Sequence, residues 1–155
     1  MTLSKCIVAL VLVGLCDRSA IAEPQGSSYR ITQLAAHLYV PGEGKADAED
    51  ALSLGGHYWN RIEAGVLLVE VTLEGPQFGS RTAGTLQVTV REGGRPLLDQ
   101  RVRLRDFFTE KPTLTLPFLA YGGTCTPMQV VTTLRDAHAR VLSRRSGRIP
   151  LRCGE

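Results

Sequence analysis

Thr85 to Arg105 reads TLQVTVREGGRPLLDQRVRLR, and its pattern decides the fold class. Leu86, Val88 and Val90 alternate with polar neighbours, Glu92-Gly93-Gly94-Arg95 supplies a turn, and Leu98, Val102 and Leu104 resume the same inward parity. Period-two alternation on both sides of a Gly-Gly turn is a β-hairpin signature. The reading sets Val90 opposite Leu98, Val88 opposite Gln100 and Leu86 opposite Val102.

Working outward from this hairpin, Val66 to Leu73 (VLLVEVTL) alternates with its odd residues apolar, as in a strand with one wet face. Thr113 to Phe118 alternates again, and Pro117 confines it to a sheet edge or ends it. Met128 to Arg135 is a further strand, and Arg148 to Cys153, with Pro150, is expected to be a last edge strand. In Tyr29 to Val40 the apolar parity changes from odd (Tyr29, Ile31) to even (Leu34, Ala36, Leu38, Val40), which a β-bulge or a strand passing between two sheets produces; a short helix over 33–38 is the competing reading. Pro41 to Asp50 reads as a polar, acidic loop. Six to eight short antiparallel strands joined by Gly and Pro turns describe an all-β, single-domain sandwich, immunoglobulin-like or of a related Greek-key type.

The N-terminus reads differently from this domain. Lys5 precedes the uncharged run Cys6 to Cys16, followed by Ala20-Ile21-Ala22, the layout of a secretory signal peptide cut after Ala22. Eleven apolar residues rise only about 16 Å as a helix, too short for a bilayer span. Lipidation at Cys16 is the alternative, but Leu15 stands where a small side chain is expected. The expected division is a signal peptide over 1–22 and a sandwich domain over 23–155, periplasmic or secreted. Of the four cysteines two leave with the signal, so Cys125 and Cys153 are expected to form one disulfide in an oxidising compartment.

Composition narrows the chemistry. The chain has 155 residues, 43% of them hydrophobic, and a formal net charge of +3, too small to drive nucleic-acid binding by itself. His37, His57 and His138 lack zinc-pair spacing, and no nucleophile elbow, phosphate loop or EF-hand pattern occurs. No cofactor is called for. Glu63, Glu70 and Glu74 are the carboxylates from which a glycosidase pair could be drawn, and nothing in their spacing singles out two.

Two features point to binding. Arg101, Arg103 and Arg105 alternate with core-facing Val102 and Leu104, which on a continuous strand gives a row of guanidinium groups at roughly 7 Å intervals. A second basic stretch, Arg135, Arg140, Arg144, Arg145, Arg148 and Arg152, carries only Asp136 as a counter-charge. Arginine offers a planar fork of donors suited to carboxylate and phosphate. The other feature is Tyr58-Trp59, set between Gly56 and Asn60, either a ligand anchor or a sandwich core plug. Phe107-Phe108 carries the same ambiguity.

These features describe a non-catalytic binding module of the interaction, assembly-accessory, chaperone or inhibitor kind. It would use an edge strand or the arginine face against a protein partner, acidic, or an anionic envelope component. The alternatives are a carbohydrate or small-ligand module using Tyr58 and Trp59, or a hydrolase.

Overall fold

The computed structural model of the chain describes residues 29–40, 42–46, 48–53, 66–122 and 126–150. Tyr58, Trp59, Cys125 and Cys153 lie outside them, as do the signal peptide and Arg152. The strands are β1 (Arg30–Val40), β2 (Lys45–Ala46), β3 (Val66–Glu74), β4 (Thr85–Glu92), β5 (Arg95–Arg103), β6 (Thr113–Tyr121), β7 (Met128–Arg135) and β8 (Val141–Ile149). They form two antiparallel sheets, β2-β1-β3-β6 and β5-β4-β7-β8, which make the expected sandwich. The chain passes between sheets from β3 to β4, from β5 to β6 and from β6 to β7, the crossovers of an immunoglobulin-like Greek key.

The β4–β5 hairpin forms as its alternation requires, with Leu86, Val88 and Val90 opposite Val102, Gln100 and Leu98. Gly93 and Gly94 take φ of 53° and 92°, the left-handed pair that a two-residue hairpin turn demands. The register shifts beyond Val90, so Arg91 faces Pro96. The bulge reading of β1 also holds: Ile31 lies opposite Leu73 and Gln33 opposite Thr72, leaving Thr32 as the extra residue. Parity flips there, so both Ile31 and Ala36 are buried, and residues 33–38 are strand rather than helix.

The core lies between the sheets, built from Val69, Val71 and Leu73 on one side and Leu86, Val88, Val90, Val130 and Leu134 on the other. Full burial of each such side chain contributes about 1.5–3 kcal/mol. Phe78, fully buried in the β3–β4 connection, plugs one end. The Tyr29 ring packs on it with centroids 5.1 Å apart, and the Tyr29 hydroxyl donates to the Gln77 carbonyl at 2.6 Å.

Two expectations are corrected. Strand β5 stops at Arg103, and Leu104–Asp106 form a 3-10 turn that buries Leu104 and carries Arg105 off the strand. The Leu104 amide is taken by the Gly84 carbonyl at 3.1 Å, which turns the chain there. The last described strand is Val141–Ile149, ending before Pro150 instead of spanning it. Its inward positions Ser143, Arg145 and Gly147 are not apolar because they meet the start of β1 and Leu52: the Ile31 amide donates to Ser143 Oγ and Arg145 Nε donates to the Ile31 carbonyl. The described residues of the acidic loop are exposed up to Glu49, and the loop is tied to β1. Tyr39 and Val40 pair with Ala46 and Lys45, and Asp50 Oδ1 accepts from the Ala36 and Leu52 amides at 2.9 and 3.1 Å.

Candidate functional site

Residues directly opposite one another in an antiparallel sheet share a face, so the register of β5-β4-β7-β8 builds its outer surface row by row. The Arg103–Thr85–Arg135–Val141 row is followed by Arg101–Gln87–Thr133–Arg144, Asp99–Thr89–Val131–Ser146 and, past the bulge, Pro96–Arg91–Gln129–Arg148. The floor is made of threonine and other polar residues because β-branched side chains suit a pleated surface and this face is wet. Arginines stand around it.

The two basic stretches thus become one surface. Strand β4 lies between β5 and β7, so Arg101 and Arg103 from the first stretch share a face with Arg135, Arg144 and Arg148 from the second. Arg91 joins them, contributed by a strand whose alternation reads simply as core-facing. The cue available in the sequence was the parity of Arg91, Arg101, Arg135 and Arg144 within their own strands; the missing element was the β4–β7 pairing, which links residues some forty positions apart.

Arg101, Arg144 and Arg148 are exposed and make no hydrogen bond or ion pair with any described residue. Arg135 donates to the Ala139 carbonyl at 3.0 Å and stays half-buried. Arg103 Nε is held by Asp106 at 3.0 Å. Asp99, the acid among these rows, accepts from Gln87 at 2.7 Å. Asp136, at the β7–β8 turn, directs one carboxylate oxygen to the amides of His138 and Arg140, both at 2.8 Å. Shallow depressions of about 430 and 220 Å³ lie over Thr85, Gln87 and Arg101 and over Thr133, Val131 and Arg144. A third, of about 520 Å³, lies between Arg91 and Arg148.

The expected residues are therefore divided by the structure. Arg101 and Arg103 are on the sheet face; Arg105 is exposed on the 3-10 turn, with Nε 3.9 Å from Asp106, and does not extend their row. Arg145 leaves the basic group because it lies on the other face of β8, exposed and donating to the Ile31 carbonyl, and Arg140 sits in the turn. Phe107 packs against the core, whereas Phe108 is 73% exposed.

The outer face of the other sheet is different in charge. There Glu74 is paired with Arg30 at 2.8 Å and Glu70 lies 3.6 Å from the His37 ring, so both carboxylates face basic side chains of β1. Among the described residues no three His, Cys, Asp or Glu side chains are grouped to hold a metal ion.

No protein-family model and no curated protein matches the chain. Among solved structures it is similar to a β-D-mannosidase from Dictyoglomus thermophilum, with 16% identity over 78% of this chain and a TM-score of 0.49. The chain spans 13% of that enzyme's length, and the likeness carries no residue-by-residue correspondence.

Proposed function

We propose that this chain is a non-catalytic binding module, acting in the periplasm or after secretion, that recognises an anionic partner on the outer face of the β5-β4-β7-β8 sheet. The observation that carries the reading is the set of guanidinium groups of Arg101, Arg144 and Arg148 on one sheet face, without a partner among the described residues. An arginine fork at each position is suited to bidentate bonding with a carboxylate, phosphate or sulfate oxygen pair. Grouped like charges also raise the local concentration of an anion and speed its arrival, an effect that salt screens.

The test is site-specific photo-crosslinking in the cell of origin. A photoreactive residue at Thr133, inside the basic face, is expected to give a discrete adduct with an anionic molecule. The same residue at Thr115, exposed on the opposite sheet, is expected to give none. Equal adducts from both positions, or none from Thr133, would refute the reading.

A further inference from the structure

Resting on that reading, we propose that the ligand of this face is an anionic polysaccharide, a hydroxyl-rich chain carrying carboxylate or sulfate groups. The argument comes from what lies between the arginines. Protein partners are anchored by aromatic or apolar side chains that become desolvated at the centre of an interface. Here no aromatic ring stands on any of the four rows, and their apolar residues are small: Val131 within the face, with Val141 and Pro96 on its two edge strands. The inner strands instead offer Thr85 and Thr133, and the edge strand Ser146, whose hydroxyls have no hydrogen-bond partner among the described residues.

The geometry suits a chain laid across the sheet. Arg101 and Arg144 are separated by three strand intervals, about 14 Å, and Arg103 and Arg135 by two, about 10 Å. An extended glycan crossing these rows meets a guanidinium fork at either side for its anionic groups and free hydroxyls between them for its own hydroxyls. All the cations of the four rows are arginine, whose fork matches the paired oxygens of a carboxylate or sulfate better than a point charge does. The shallow, open relief over Thr133 and Arg144 accommodates a flexible chain without an enclosing pocket.

The experiment is calorimetric titration of the purified protein at fixed ionic strength with three probes: an oligogalacturonate, a heparin-derived oligosaccharide and polyglutamate. One of the two glycans is expected to bind at least about tenfold more tightly than polyglutamate, and which one identifies carboxylate or sulfate as the recognised group. Arg144→Gln is expected to weaken that glycan about tenfold. Thr133→Val, which keeps the shape and removes the hydroxyl, is expected to weaken the glycan and leave polyglutamate unchanged. Polyglutamate binding as tightly as either glycan, unaffected by Thr133→Val but weakened by Arg144→Gln, would overturn the polysaccharide assignment in favour of an acidic polypeptide while the anion-binding face stands. Loss of binding from Lys45→Glu/Lys111→Glu equal to that from Arg101→Glu/Arg144→Glu would instead mean that net charge alone is read, and both assignments would fall.

Discussion

Arg101 and Arg144 stand at the two ends of one cross-strand row, joined through Gln87 and Thr133, although 43 positions separate them in the chain. Neither makes a described hydrogen bond or ion pair, so neither is tied into the fold. Replacing both by Gln is therefore expected to change unfolding free energy by less than about 0.5 kcal/mol, the usual range for surface positions without special contacts. Ligand association should slow, and its dependence on salt should flatten. Denaturant unfolding and stopped-flow binding across a salt series check both halves; a large stability loss would show that these arginines serve the fold.

Thr132 lies opposite Arg145 and Val88, fully buried, and its hydroxyl has no hydrogen-bond partner among the described residues. A buried hydroxyl without a partner loses its hydration and gains nothing in return. Valine has nearly the same shape and omits that oxygen, so Thr132→Val is expected to raise stability by about 1 kcal/mol. A chemical denaturation midpoint that falls would mean that the hydroxyl is satisfied in solution.

Gly75 lies under the Tyr29 ring so closely that a Cβ placed there would fall 2.1 Å from a ring carbon. Alanine must push the ring aside, which removes its contact with Phe78 and its hydrogen bond to Gln77. Gly75→Ala is expected to cost about 1–3 kcal/mol, as overpacking commonly does. Tyr29→Ala should cost a similar amount, and the double variant should cost much less than the two together, because both changes undo one contact set. Additive losses would separate the glycine from the tyrosine.

The fold was legible wherever one strand face meets the core and the other meets water. Val66 to Leu73 and Leu86 to Val90 alternate cleanly for that reason, and the β4–β5 register followed from its turn. Strand β8 was legible only at its end, since its inward residues Ser143, Arg145 and Gly147 pack on the start of β1 and on Leu52 instead of on core side chains. The site was legible in halves. Each half carried its arginines in view, but the β4–β7 pairing that unites them has no local signal, because two strands far apart in the chain declare no partner in their own patterns. Arg105 was misplaced for a related reason: the Gly84 carbonyl that captures the Leu104 amide is a long-range partner.

The remaining prediction concerns Cys125 and Cys153, which lie just beyond the described ends of the β7–β8 hairpin, three residues before Met128 and four after Ile149. Met128 and Ile149 are themselves paired, so the chain enters and leaves this hairpin from adjacent strands. On the proposal that the chain is exported, loses residues 1–22 and has these two cysteines oxidised to each other, the protein should present no thiol to a thiol reagent until it is unfolded and reduced. Cys125→Ser is expected to lower the melting temperature clearly, since closing a loop of this length contributes about 3–4 kcal/mol at most in the chain-entropy treatment. The same loss should appear in the wild-type protein on adding reductant, and the Cys125→Ser/Cys153→Ser double variant should be no less stable than the single one. Two titratable thiols in the native exported protein, with a melting curve indifferent to reductant, would sink the disulfide.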